Sequence, residues 1–478
     1  MSCTPFVPST QIEKYFAWLS AIPHGSFNEH TLSCAIREIA EKAGLWTYQD
    51  EVSNLLVRRP ATPGCEHKAP LILQAHMDMV CTKIPGSRHD FLTDPLKLFV
   101  DEEGWLHAHE TSLGADDGIG VAYMMDLMLR KDIPLPELEL LFTVQEEAGM
   151  GGARAFDYSL LRGRRMVGLD CGGEYFTAVS SCGSRRMIFT LPLEKADVCG
   201  KQYRLSVEGL TGGHSASDIA DARGNAIKLL AHILSALEKT GAALIRAEGG
   251  EADNAIPRSA SAVLCIPDEQ YAQARKIVEE YTRSYTKSYR LTDPKLTVTL
   301  NPGNGEAKAA YSLHGIRMLV ALRDGVFARD LEHPPRSALS SNMGVLAIDD
   351  GILTVRSMIR STTEEWKELL SEQLIAAAEA YGARYTVDSD YTGWEYDPDS
   401  ALRRLYFETV QELFGHGMQE SFAAGGLEAG FFAGGVPGMD IIEMQCAMTG
   451  LHSPSEKMEL ASFNRMYELL VKLIECLP

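Results

Sequence analysis

LELLFTVQEEAGMGGA, residues 138–153, decides how the chain is to be read. It opens on an apolar run broken by one acid, with the length and texture of a strand buried on both faces. The run ends on two adjacent glutamates, Glu146 and Glu147, ahead of a glycine-rich turn. Two unit charges about 4 Å apart at an effective dielectric near 20 repel by roughly 4 kcal/mol. On an open loop solvent screens that cost. At the mouth of a cleft it persists unless a cation lies nearby or one acid holds a proton.

Working outward, similar apolar runs stand at LILQA (71–75), RMVGLD (165–170) and GMDIIEM (438–444). Helical stretches and small-residue loops separate them, which predicts an α/β domain around a mostly parallel sheet. In such sheets ligands gather at the carboxyl ends of the strands. The first 60 residues read as two helices and a strand: Thr10 and Glu13 have capping-box spacing, and Gly44 closes a second helix through Leu32, Ile36 and Ile39. From Arg186 the texture changes to period-2 strands such as RRMIFTLPL and KQYRLSVEGL. An amphipathic helix with Ile227, Leu230, Leu234 and Leu237 on one face follows, then a hairpin turning at Asp349-Asp350-Gly351 and a helix over 363–382. After Gly382 the α/β texture returns and ends in a helix over 462–476. No tandem repeat is visible. The expected architecture is an α/β catalytic domain (1–186 and 385–478) interrupted by an inserted α+β lid and dimerisation domain (187–384).

The formal charge of −20 argues against nucleic-acid and anionic-membrane partners, both of which need a basic footprint. No apolar run approaches a membrane span, and no charged start leads into a secretory apolar segment. The ten cysteines contain no C-x-x-C pair, so a reducing cytoplasm is the expected location.

Chemistry-bearing residues collect at strand ends and loops. LILQAHMDMV closes on His76 and Asp78, two apart on a strand and so on one face, where the carboxylate steadies the imidazole. SLGADDGIG places Asp116 and Asp117 ahead of an apolar helix; one acid suffices as an N-cap, leaving the other for a cation. GLDCGGE offers Asp170, and TGLHSPSE puts His452 in a loop after a strand. Each has an ordinary structural explanation alone. Together His76, Asp116, Glu147, Asp170 and His452 form a nitrogen- and carboxylate-rich set without thiolates. That suits two catalytic zinc ions, or manganese or cobalt, with one carboxylate bridging them. Glu146 is left over beside a ligand, free to act as a base.

The motifs HMDMV, GADDG, QEEAG, LD and LHSP, in this order, resemble the di-zinc metallopeptidase family that includes peptidase T, carnosinase and aminoacylase. Within it the chain is similar to the bacterial aminoacyl-histidine dipeptidases over nearly its whole length, including IPHGSFNE, GGHSASDI, DNAIPR and GGLEAGFF. The resemblance implies two metals per subunit, His76 and Asp170 on one, Glu147 and His452 on the other, and Asp116 between them. It implies that Asp78 orients His76, and that Glu146 moves a proton from the attacking water to the leaving amine. His214 would polarise the scissile carbonyl, Arg360 would hold the substrate's terminal carboxylate, and Asn254, Gly426 and Glu428 would touch substrate. The implied activity is hydrolysis of dipeptides with a free carboxylate, of Xaa-His type, by a homodimer joined through the lid. N-acyl amino-acid deacylation or tripeptide cleavage on the same scaffold are the alternatives; an inactive binding relative would lack Glu146 or a ligand. Two positions depart from the narrower group: Asp117 where its turn continues with Asn, and Ala216-Ser217 where its GGHS motif continues with glycines. They bear on the preference for a C-terminal histidine, not on metal binding.

Overall fold

The computed structural model describes residues 4–197, 200–303, 309–331 and 336–478. The chain forms two compact units, one of residues 1–181, 394–423 and 427–478, the other of residues 182–393 and 424–426. The divisions expected at 186/187 and 384/385 thus move outward to 181/182 and 393/394. The cause is strand pairing: Gly183–Pro192 lies between Ile352–Ser361 and Arg384–Tyr391 in one ladder, which keeps both flanks in the second unit.

The first unit is built on six strands in the order Trp46–Gln49, Leu55–Arg59, Leu138–Thr143, Leu71–His76, Arg165–Gly168 and Asp440–Glu443. The last four are parallel, and the first two form an antiparallel hairpin on the edge. Only one strand was expected in the first 60 residues; Asp50 makes the turn between the two by accepting the N–H groups of Val52 and Asn54. Alternate residues of the central strands enter different cores. Leu71, Leu73 and Ala75 pack into one with Leu140 and Phe142, whereas Ile72 packs into another with Leu56, Leu141 and Met166. Burial on both faces explains why these strands read as unbroken apolar runs. Glu139, an acid within Leu138–Thr143, is fully buried, pairs with Arg58 at 3.2 Å and accepts the N–H groups of Arg162 and Gly163.

The helix Ala115–Leu129 is buried nearly all round. Tyr123 stacks on Phe463 of the C-terminal helix Leu460–Cys476, ring centres 5.0 Å apart. Gly120 lets this helix meet the sheet, since a Cβ there would come 2.6 Å from Leu169 Cβ and 2.8 Å from Ala75 Cβ. No helix among the described residues is long and apolar enough to cross a membrane, and the eight cysteines among them form no disulfide. Cys3 and Cys199 lie outside the described residues.

The second unit contains a repeat that the sequence conceals. Lys201–Glu208, Ala226–Leu237, Ala243–Gly249, Ala260–Ile266, Tyr271–Ser288 and Thr297–Pro302 follow the order strand, helix, strand, strand, helix, strand. Gly183–Pro192, Arg317–Ala321, Ser337–Asp349, Ile352–Ser361, Glu364–Glu379 and Arg384–Tyr391 repeat it. Numbered within each half, the sheet runs fourth, first, third, second, then second, third, first, fourth, with the two second strands paired antiparallel. The first strand of one half precedes the whole of the other, so no tandem period arises.

Asp324, in the second unit, accepts the Met343 N–H at 2.7 Å and the Asn225 amide at 3.0 Å through one oxygen. Burial pushes its carboxyl up to about 6. The folded state therefore holds this proton more tightly than the unfolded chain. The resulting stability is complete below the unfolded value and is lost as pH rises through the folded one. Asp324→Asn, which mimics the protonated acid, should leave stability unchanged near pH 4 and raise it by on the order of 1 kcal/mol above about pH 7. Denaturant titrations at both pH values check this, and an equal effect at the two contradicts it.

Candidate metal centre

The parallel strands deliver their C-terminal ends to one place. His76 ends Leu71–His76, with Nδ1 2.9 Å from the Asp78 backbone oxygen and 3.6 Å from its carboxylate. A proton on Nδ1 leaves the Nε2 lone pair aimed at Asp116 Oδ1, 3.0 Å away, and Asp170 Oδ1, 3.5 Å away. The Asp78 carboxylate does more than steady the ring. It accepts the Ser26 hydroxyl at 2.7 Å and the backbone N–H groups of Glu146 and Glu147 at 2.9 and 3.2 Å. Glu29 holds the preceding residue by accepting the Gln145 N–H at 2.9 Å. One buried acid thus fixes both the first histidine and the glutamate pair.

The two aspartates of GADDG divide their work. Asp117 Oδ1 accepts the Gly120 N–H at 3.1 Å, a helix-capping contact, and the side chain is fully buried. Asp116 has non-helical backbone angles and turns its carboxylate between the two histidines. Its Oδ1 faces His76 Nε2 and its Oδ2 lies 3.3 Å from His452 Nε2. The turn itself is held by Glu456, whose carboxylate accepts the N–H groups of Leu113, Gly114 and Ala115 at 2.8, 3.2 and 2.9 Å.

His452 lies between the strands Met448–Thr449 and Lys457–Glu459, with positive φ, and its Nε2 is 2.9 Å from Glu147 Oε1. One ligand atom each from His76, Asp116 and Glu147 lie within 4.8 Å of one another. Asp170 follows Arg165–Gly168. Hydrogen bonds donated to the Asp116 and Glu147 carboxylates favour the charged His452 ring and push its pKa up to about 10. Burial opposes ionisation of His76, but Asp116, Asp170 and Asp78 outweigh it and raise its pKa well above the usual range. Burial, with the Asp116 charge, raises Asp170 to about 6. Burial also holds Glu146 well above the usual carboxylate range; His76 opposes this, and Asp170, Glu428 and Glu147 add to it. So many acids converging on two imidazoles demand positive charge. Carboxylate and imidazole donors without sulfur fit zinc, manganese or cobalt, and Asp116 has one oxygen for each side.

Glu428 sits apart from open space. It is 2% exposed, and its Oε2 accepts Gln74 Nε2 at 2.6 Å and Thr143 Oγ1 at 2.5 Å. Gln74 and Thr143 lie on the strands leading to His76 and to the glutamate pair, so Glu428 braces these strands. Expected as a substrate contact, it has its recorded bonds to protein groups instead.

His214, Asn254, Arg360 and Gly426 gather within the second unit. His214 pairs with Ala255 in a two-residue ladder, and the Ser215 N–H donates to the Asn254 carbonyl at 2.8 Å. Arg360 reaches Ser215 Oγ at 3.4 Å and Tyr391 Oη at 3.5 Å, and Gly426 lies against the Tyr391 ring. Burial and the Arg360 charge lower the His214 pKa. Ser26, Glu29, Glu456, Ser215 and Tyr391 were not singled out from the sequence. The first four lie within the stretches IPHGSFNE, LHSPSE and GGHSASDI; Tyr391 lies in none of the motifs read from the sequence.

The sequence pattern of Peptidase family M20/M25/M40 matches residues 72–475. The chain is 31% identical over 469 residues to the cytosol non-specific dipeptidase of Escherichia coli (strain K12), covering 97% of this chain and 96% of that one. It is also similar to the crystal structure of an aminoacylhistidine dipeptidase from Vibrio alginolyticus, with TM-score 0.90, 29% identity, and coverage of 98% of this chain and 96% of that one. The aminopeptidase PepT of Bacillus cereus shares the fold, with TM-score 0.55 at 16% identity over 97% of each chain. A match across most of the sequence, with one architecture from end to end, places this chain in peptidase family M20/M25/M40.

Proposed function

We propose that the protein is a metal-dependent dipeptidase acting on unblocked dipeptides with a free C-terminal carboxylate, Xaa-His among them. The observation that carries this is Asp116, whose two oxygens face His76 and His452 separately. His76 and Asp170 would hold one cation and Glu147 and His452 the other, with Asp116 offering an oxygen to each side. Two bound zinc, manganese or cobalt ions would acidify the attacking water and polarise the scissile carbonyl. Glu146, next to a ligand but not itself one, takes the water's proton and delivers it to the leaving amine. Asp78 keeps His76 in the right tautomer. His214 polarises the carbonyl, Asn254 contacts the substrate, and Arg360 binds the terminal carboxylate as a two-pronged donor. The two relatives at about 30% identity bear dipeptidase names, one of them cytosolic, which supports the substrate class and a cytosolic location.

A homodimer through the second unit belongs to the same reading. That sheet ends on Thr297–Pro302 and Arg384–Tyr391, and the latter exposes Tyr385 and Val387. Light scattering of the purified protein tests it.

Chelation followed by assay of β-Ala-His, Gly-His, Ala-Ala, a tripeptide and an N-acetyl amino acid tests the activity. The expected result is loss of dipeptide hydrolysis on chelation and its return with zinc, manganese or cobalt. Turnover should be far lower on the tripeptide and the acylated substrate. A protein that binds no divalent metal and cleaves none of these substrates contradicts the proposal.

A further inference from the structure

Arg360 differs from the arginines near it. On the adjoining strand, Arg185 is paired with Glu368 and Asp390, and Arg186 with Asp253 and Asp388. Arg360 is 7% exposed, and among the described residues it makes no ion pair. Its recorded side-chain hydrogen bonds go to the hydroxyls of Ser215 and Tyr391, both at the long limit. A buried guanidinium with no counter-ion is costly unless an anion completes it.

The strand register shows what surrounds that anion's place. Ser184 pairs with Arg360 on one side and with Tyr391 on the other, and Arg360 pairs with Ser340 on its far side. Residues in register across neighbouring strands share a face of the sheet. Arg360 is therefore flanked by two serines, too short to cover its guanidinium, and the next large side chain in the row is Tyr391. The phenol is well fixed. Lys367, fully buried, donates to the Tyr391 carbonyl at 2.8 Å, and a Cβ on Gly426 would come 2.4 Å from the ring. Only glycine lets the backbone back the ring so closely.

We infer that Tyr391 is a specificity-determining residue. Its hydroxyl donates to the carboxylate held by Arg360, and its ring, backed by Gly426, walls off the space beyond. A peptide whose α-carboxylate sits there ends there, which selects a free C-terminal carboxylate over chains extended or blocked at that end. This rests on the assignment of Arg360 to the terminal carboxylate.

Steady-state kinetics of wild type, Arg360→Ala, Tyr391→Phe and Gly426→Ala with a dipeptide and its C-terminal amide test it, the amide serving as competitive inhibitor if it does not turn over. Tyr391→Phe should raise KM for the dipeptide about ten- to a hundredfold, a range matching the loss of one charge-assisted hydrogen bond. Its kcat should stay within about twofold of wild type. Affinity for the amide should not change, and Gly426→Ala should raise the dipeptide KM in the same direction. A dipeptide KM at the wild-type value for Tyr391→Phe, or an equal loss of amide affinity, overturns the inference. An inactive wild type would fail the dipeptidase reading instead. An unchanged KM in Arg360→Ala would fail the carboxylate assignment. Either is distinct from an active enzyme in which Arg360→Ala weakens binding and Tyr391→Phe does not.

Discussion

Glu146→Gln should leave two metals bound and lower kcat by about three orders of magnitude, within the range that general-base catalysis contributes. The separation follows from how the two glutamates are held. Their backbone N–H groups share the Asp78 carboxylate, so the loop stays in place whatever the Glu146 side chain is. Glu147 carries the contact to His452. Glutamine keeps the size of the side chain and removes only its ability to accept and return a proton. Metal analysis, a fold check by circular dichroism and kcat on one dipeptide complete the test. Turnover near wild type would remove Glu146 as the base; loss of metal would make it a ligand.

Asp116→Ala should abolish activity and empty most of the metal centre, because one substitution removes a donor from each side. Asp117→Asn provides the contrast, since Asp117 reaches the Gly120 N–H rather than a histidine. It should keep both metals and lose stability of about 1 kcal/mol or less, the scale of a weakened helix cap. Metal-to-protein ratios after dialysis distinguish the two variants. Two tightly held metals in Asp116→Ala would contradict the bridging role.

The strand-borne part of the centre was legible in the sequence. Parallel strands buried on both faces leave apolar runs, and whatever follows each run arrives at the same edge of the sheet; His76, Glu147 and Asp170 follow three of them. Of the two acids in GADDG the sequence reading chose Asp116 for the metals, and the coordinates turn Asp116 toward both histidines while Asp117 caps the helix. Residues that act through other residues were harder to read. Glu456 binds three backbone N–H groups more than 340 positions away in sequence. Ser26 meets Asp78 across a separation that no local pattern records. Glu428 stood in a suggestive motif, yet its bonds to Gln74 and Thr143 depend on the packing of a helix start against two strands. The repeat in the second unit was hidden because one half is threaded between the first strand and first helix of the other. Tyr391 became significant only through strand register.

Crystals grown with zinc and measured at the zinc absorption edge test the central claim most directly. Two anomalous peaks are expected, each about 2 Å from one of His76 and His452, with a different oxygen of Asp116 bound to each. A single peak, or peaks away from Asp116, would contradict the dinuclear centre.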